Sequence, residues 1–391
     1  MNARHLRSIA CLGFLAAALP AGAQDGRRQG APSNLKSVEV SPEKQVTFRI
    51  YAPNAEAISV AGDFGNGKMM KDDRGVWSVT VGPLPSDFYT YSFNIDGVKT
   101  LDARNPMFKP GIAGNDSMFE VPGQESDFQA TKDIPHGSLH AAWFPASVLG
   151  GQRRLHIYTP PGYEVSKDAY PVLYLLHGSG DDDAGWSTIG RAGFILDNLI
   201  AAGKAKPMLI VMPNGSLSIP DGIRRHEADG KTLTAEWKAA SDANQAKIAR
   251  HLVDDVVPFI EKTCRVKPGP ANRALAGLSM GGGHTTRVLT STPRAFTAYG
   301  IWSASIGKDG GKEWEAKNTE FLSGANLLNG SIGILSISVG EKDEGALAGS
   351  KALGEVLTRH GIKHELNIGS GGHTWINWRK YLNDFAPRLF Q

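Results

Sequence analysis

Gly277-Leu278-Ser279-Met280-Gly281 is the segment of this chain whose residue types and spacing could carry chemistry. Residues 273–276 read as a strand before it, and residues 283–289 suit a helix after it. In that context G-x-S-x-G forms a sharp strand-to-helix turn that exposes the serine hydroxyl. Glycines on either side leave room for the turn. The partial positive charge at the helix N-terminus favours an oxyanion. A hydroxyl is a weak nucleophile and needs a base. The chemistry predicted is acyl transfer through Ser279.

At such a turn the partners follow in the chain order serine, acid, histidine. The downstream histidines are His284, His360, His364 and His373. His284 lies in the helix of the turn itself. His360 ends a helix, where a cation complements the dipole, and His364 opens a strand. His373 follows Gly369-Ser370-Gly371-Gly372, read as a flexible loop between the last strand and the last helix, and is the expected base. The acid is expected in Gly340-Glu341-Lys342-Asp343-Glu344, with Asp343 chosen and Glu341 and Glu344 as rivals. It would hold the imidazole tautomer and stabilise the imidazolium. The oxyanion would be held by the N–H groups of Met280 and of Ser179. The latter lies in His177-Gly178-Ser179-Gly180, after an apolar run at 172–176. His177 precedes the nucleophile, so it is expected as a structural or substrate-side residue and not as the base.

Trp186, Trp302, Trp375 and Trp378 lie near these motifs in sequence. Trp186, Trp302 and Trp375 are expected, with His177, as substrate contacts that could stack on a sugar or an aromatic acyl group; core packing is the competing reading. Asp181-Asp182-Asp183 lacks the spaced ligands and glycine of a calcium loop. It is read as a solvated acidic loop, and neither a metal nor a cofactor is expected.

The elements that must position these residues alternate. Apolar runs at 155–159, 172–176, 208–212, 273–276, 298–302, 334–339 and 364–368 are interleaved with helical patterns at 243–263 and 346–360. That alternation predicts a mostly parallel sheet with helices on both faces over residues 138–391, which with the serine turn makes an α/β-hydrolase domain. Upstream the period changes to two. Residues 46–51, 57–61, 76–81 and 88–95 alternate, and Asp96-Gly97 is a hairpin turn signal. They predict a small all-β sandwich over residues 35–122. Its Trp77, Tyr89 and Tyr91 could bind sugar or pack, and packing in a docked structural domain is the favoured reading. Polar residues 123–137, with Pro135, read as a linker.

The first residues carry a different signal. Arg4 and Arg7 precede an apolar run from Ile9 to Leu19, and Ala21-Gly22-Ala23 supplies small residues for cleavage. Residues 1–23 therefore read as a secretory signal peptide, which predicts an exported protein, periplasmic or extracellular. Without them the formal charge falls from +3 to +1, 40 basic residues against 39 acidic. Neither nucleic acid nor, after signal removal, a membrane is expected as a partner. Cys11 leaves with the signal, so Cys264 remains alone, read as a packing thiol. Composition leaves the oligomeric state open.

Tyr174-Leu175-Leu176-His177-Gly178, Gly203-Lys204-Ala205-Lys206-Pro207-Met208, Gly277-Leu278-Ser279-Met280-Gly281-Gly282 and Gly371-Gly372-His373-Thr374-Trp375 together resemble the esterase D-like group. They look closest to the feruloyl and acetyl-xylan esterases of carbohydrate esterase family one. The β-region is similar to the early-set immunoglobulin-like modules that precede such esterases. The resemblance implies a triad of Ser279, Asp343 and His373 and oxyanion donors at Ser179 and Met280. It also implies hydrolysis, without a cofactor, of feruloyl or acetyl ester side groups on plant polysaccharide such as arabinoxylan. Enterochelin esterases are similar around the Gly-Gly-His, so a siderophore triester is an alternative substrate. A carbohydrate-binding protein with an inactive hydrolase domain is a third reading.

Overall fold

The computed structural model describes Gly30, residues 32–307 and residues 309–391. The signal peptide expected at 1–23 lies outside the described residues. Residues Lys36–Gln391 form one compact unit.

Within it the catalytic-type sheet has eight strands. They are β1 (Ser138–Pro145), β2 (Gln152–Thr159), β3 (Val172–Leu176), β4 (Leu209–Pro213), β5 (Arg273–Leu278), β6 (Ala298–Trp302), β7 (Ile334–Gly340) and β8 (Glu365–Gly369). Their spatial order is β1-β2-β4-β3-β5-β6-β7-β8. The β1–β2 and β2–β4 pairs are antiparallel, and every pair from β4 to β8 is parallel. The middle strands β3 and β4 are buried along their whole length, as near-continuous apolar runs require.

Side-chain alternation divides β2 to β7 between two cores. Val172, Tyr174 and Leu176 of β3 face the helices Met280–Ser291 and Leu347–Arg359, while Leu173 and Leu175 face Ala192–Ala201 and Trp375–Phe385. Helices therefore cover both faces. The helix expected at 243–263 begins earlier, at Ala235, because Thr234 caps it by accepting from the Trp237 N–H. Its first turns are exposed and carry no apolar period to read. A π-turn at Leu252–Val256 interrupts it before Val257–Thr263. Pro258 there has no N–H with which to continue the α ladder.

The β-sandwich pairs Val46–Tyr51 with Val76–Val81 in one sheet and Ile58–Gly62, Asp87–Ile95 and Asp116–Val121 in the other. The Asp96-Gly97 turn takes positive φ at both residues, closing a hairpin on Ile95 and Val98. Trp77, Tyr89 and Tyr91 are buried in its core with Phe48, Phe93 and Phe119, so they pack and have no face to offer a sugar.

Two expectations need correction. Residues 123–137 are not a free linker. Gln124–Gln129 forms a 3-10 helix, and the Asn198 side-chain amide donates to the Phe128 and Ala130 carbonyls at 3.0 Å each. Arg191 reaches the Gln129 carbonyl as well. These partners lie some 60 residues downstream, so local polarity could not reveal them. The sheet also gains the edge strand β1, whose residues are mostly exposed, Leu139 and Trp143 included.

The sandwich and the hydrolase unit share a buried ion pair. Arg379, on the last helix and fully buried, donates through Nη2 to Asp87 Oδ1 at 2.6 Å and to the Phe88 carbonyl at 2.9 Å. Its Nη1 donates to the Ile189 carbonyl, and the Gln129 amide donates to the same Asp87 oxygen at 2.7 Å. Phe88 and Met118 of the sandwich belong to the hydrolase core, and Ile376 packs on the sandwich core. Asp87→Ala would leave Arg379 buried without its counter-charge. Breaking a buried pair from one side costs about 3–5 kcal/mol, so urea unfolding should show a loss of that size.

Candidate active site

The C-terminal ends of the parallel strands carry the chemical groups. Ser279 follows β5, Ser179 follows the neighbouring β3, Asp343 follows β7 and His373 follows β8. Ser279 adopts φ 52° and ψ −115°, a conformation that a side-chain-bearing residue rarely holds, and it stands at the N-cap position of the helix Met280–Ser291 without its side chain capping it. Its N–H donates to the Trp302 carbonyl at 2.8 Å. The turn is tight: a Cβ on Gly281 would stand 2.5 Å from the His177 carbonyl oxygen and 2.7 Å from that of Leu176. Both obstacles are backbone, which explains why the motif needs glycine there.

The Ser279 hydroxyl lies 2.9 Å from His373 Nε2, and His373 Nδ1 lies 2.9 Å from Asp343 Oδ2. The serine can donate only to an unprotonated Nε2, so the Nδ1–H donates to Asp343. Asp343 is fully buried and its Oδ1 accepts from the Ala346 N–H. Glu341 and Glu344 are exposed and do not reach the ring. The loop before His373, read from its glycines as flexible, is tied down. The Lys342 N–H donates to the Gly371 carbonyl at 2.9 Å, and the Asn377 amide donates to that of Gly372 at 2.9 Å. His284, His360 and His364 lie elsewhere: His284 is buried, His360 pairs with Glu315, and His364 bonds the Ile362 carbonyl.

Ser179 sits beside the nucleophile. A Cβ placed on its neighbour Gly178 would lie 3.5 Å from Ser279 Cβ. Among the described residues neither the Ser179 N–H nor the Met280 N–H meets a protein acceptor. Two uncommitted donors beside the serine suit a developing oxyanion.

Four expected substrate contacts are not available to a substrate. Trp186 and Trp302 are fully buried, Trp375 is 8% exposed and His177 2% exposed. The tryptophans form an edge-to-face ladder. Trp302 meets Trp186 at 5.7 Å, Trp186 meets Trp375 at 5.0 Å, Trp375 meets Trp378 at 5.3 Å, and Trp378 meets the His373 ring at 5.0 Å. The Trp378 indole N–H is anchored on Ser303 Oγ. Proximity in sequence placed these rings near the site, but their apolar bulk put them under it, where they fix the plane of the catalytic-type imidazole.

His177 positions backbone. Its Nε2 accepts from the Gly215 N–H at 3.0 Å, so its proton is on Nδ1, which donates to the Gly178 carbonyl at 2.8 Å. Burial lowers its pKa and keeps the ring neutral. The acidic run is not solvated either. Asp183 accepts from Arg154 Nε at 2.7 Å and from His156 Nδ1 at 2.9 Å. Burial would raise the Asp183 pKa, but the hydrogen bonds from His156 and Arg154 outweigh it and hold the group at about 2. Among the described residues no cluster of three or more His, Cys, Asp or Glu could hold a metal ion. Nor is any helix there long and apolar enough to cross a membrane.

The family model described as "Putative esterase" matches residues 146–389. The chain belongs to this esterase family. A second model, carbohydrate-binding module 48 (isoamylase N-terminal domain), matches residues 37–105 of the sandwich. A relative named endo-1,4-beta-xylanase/feruloyl esterase, from Xylanibacter ruminicola, is 31% identical over 368 residues, covering 90% of this esterase and 46% of the relative. The chain spans about half the length of the first relatives it matches by sequence. Among solved structures, a ferulic acid esterase from Anaeromyces mucronatus is similar with a TM-score of 0.55 at 21% identity, over 69% of this chain and 96% of that one. The enterobactin esterase of Shigella flexneri gives 0.61 at 15% identity, over 88% and 92%. At these identities the two structures share the fold with the present esterase.

Gly281→Ala should move the turn away from the β3 loop and lower both kcat and Tm, measured with a p-nitrophenyl ester and by thermal unfolding. His284 is pushed down to about 3, chiefly by burial. The unfolded chain therefore takes up protons below about pH 6.5 that the folded chain refuses, and stability is lost as pH falls, by up to about 1.4 kcal/mol per pH unit for each such histidine. His284 Nδ1 has no hydrogen-bond partner, so His284→Leu should fold and should flatten the loss between pH 7 and pH 5 in urea titrations.

Proposed function

We propose that this protein is a serine carboxylic ester hydrolase that removes feruloyl or acetyl side groups from plant cell-wall polysaccharide. The observation that carries the reading is the hydrogen-bonded line from buried Asp343 through His373 to Ser279 at the strained end of β5. His373 Nε2 takes the proton as Ser279 Oγ bonds to the ester carbonyl carbon. The Met280 and Ser179 N–H groups receive the charge on the carbonyl oxygen. The C–O bond to the alcohol then breaks, and the alcohol leaves with the proton from His373. Water, deprotonated by His373, attacks the acyl-enzyme and releases the acid, with Ser279 recovering its proton.

The polysaccharide ester is favoured by the name of the Xylanibacter relative, which matches most of this chain. The carbohydrate-binding-module match of the sandwich points the same way. Residues 1–23 support export, periplasmic or extracellular. A siderophore triester is the second reading, since the enterobactin esterase fold covers both the sandwich and the hydrolase unit. Turnover of methyl ferulate, acetylated xylan and enterobactin measured side by side separates the readings. Preference for enterobactin would overturn the polysaccharide assignment.

Ser279→Ala should abolish turnover of every ester and labelling by a fluorophosphonate. Asp343→Asn should keep the fold and lower kcat by about 10⁴-fold, the scale of losing the correct histidine tautomer.

A further inference from the structure

Asp181 is buried at the end of the loop that holds Ser179, and its partner comes from the sandwich. Lys109 Nζ lies 2.5 Å from Asp181 Oδ1, with only 14% of the lysine side chain exposed. A second tie is backbone: the Ala113 N–H donates to the Gly180 carbonyl at 3.2 Å. The sandwich segment around residues 109–113 therefore touches the loop on the carboxyl side of Ser179.

We propose that Lys109 is a positioning residue for the oxyanion donor, acting through Asp181. The proposal rests on the acyl-transfer reading above. The peptide joining Gly178 to Ser179 is planar and trans, so its C=O and N–H point in opposite directions. Whatever fixes the Gly178 carbonyl aims the Ser179 N–H. Two donors fix that carbonyl: His177 Nδ1 at 2.8 Å and the Asp181 N–H at 3.3 Å. His177 is anchored from within the hydrolase unit by Gly215. Asp181 is anchored by Lys109 of the sandwich. The loop holds glycines at 178 and 180, the latter at φ 86°, and so has little stiffness of its own. An oxyanion donor must stand within a few tenths of an ångström of its place, so an external anchor has catalytic consequences.

The test is a cycle of Lys109→Met, Asp181→Asn and the double variant in the full chain, with Tyr91→Phe as control. Tyr91 OH donates to Asp102 and accepts from Asn105 within the sandwich. Each single variant should lower kcat on p-nitrophenyl acetate and methyl ferulate by about 10- to 100-fold with KM little changed, less than the loss of a whole oxyanion donor. The double variant should be no slower than the worse single one, because both act along one path. Tyr91→Phe should lower Tm and leave kcat unchanged. Wild-type kcat in folded Lys109→Met overturns the proposal. So do additive losses in the double variant, or a kcat loss in Tyr91→Phe matched to its Tm. If Lys109→Met does not fold, Asp181→Asn decides alone, and wild-type kcat there overturns it. Absence of fluorophosphonate labelling at wild-type Ser279 would instead sink the acyl-transfer reading, whatever Lys109 does.

Discussion

The backbone of Ser279 is the constraint around which the rest of the molecule is arranged. A residue with a side chain at φ 52° and ψ −115° costs on the order of 1–3 kcal/mol and persists only if its surroundings over-determine it. They do. The serine N–H is committed to Trp302 on β6, and the turn that follows presses Gly281 against the carbonyl oxygens at the end of β3. Relaxing the turn would therefore mean unpairing β6 or displacing the loop that holds Ser179. The strain and the juxtaposition of nucleophile and oxyanion donor are one geometric fact.

The triad is graded in exposure. Asp343 is fully buried, whereas the His373 side chain is 43% exposed. A carboxylate sealed from water interacts strongly with the one imidazole N–H it faces. The half-open ring can still exchange protons with a substrate or a water. What keeps an exposed ring in one orientation is apolar: Trp378 stands edge-on to it, and three more tryptophans stand behind Trp378. Hydrogen bonding sets the tautomer and packing sets the plane.

Much of this was legible in the sequence, and most of the failures at the site share one physical character. The β5 run, the glycines around Ser279 and the chain order of acid and histidine are local signals, and the geometry brings Ser279, His373 and Asp343 together as those signals imply. The strands at 46–51, 76–81, 172–176 and 298–302 are found where their alternation or apolar continuity placed them. Several of the misreadings turn on partners distant in sequence. Asp183 read as solvated because Arg154 and His156 lie on another strand. His177 read as substrate-side because Gly215 is 38 residues away. Residues 123–137 read as a linker because Arg191 and Asn198 lie far downstream. The tryptophans were misplaced for a related reason: nearness to a motif in sequence says nothing about which side of the sheet a ring fills.

The same logic bears on the sandwich. A module joined by a loose tether would leave the hydrolase core closed on itself. Here the hydrolase core includes Phe88 and Met118 of the sandwich, and the sandwich core reaches Ile376 on the helix that follows His373. Between them lies Arg379, whose charge is answered by Asp87 and whose Nη2 and Nη1 reach the Phe88 and Ile189 carbonyls on either side. Neither side is electrostatically complete alone, because a guanidinium sealed from water needs its carboxylate and a sealed carboxylate needs its guanidinium. Arg379 is six residues beyond the catalytic-type histidine, on the short helix Trp375–Phe385 that follows it. The position of that helix, and with it the entry of His373 into the site, is therefore fixed in part by residues nearly three hundred positions earlier in the chain.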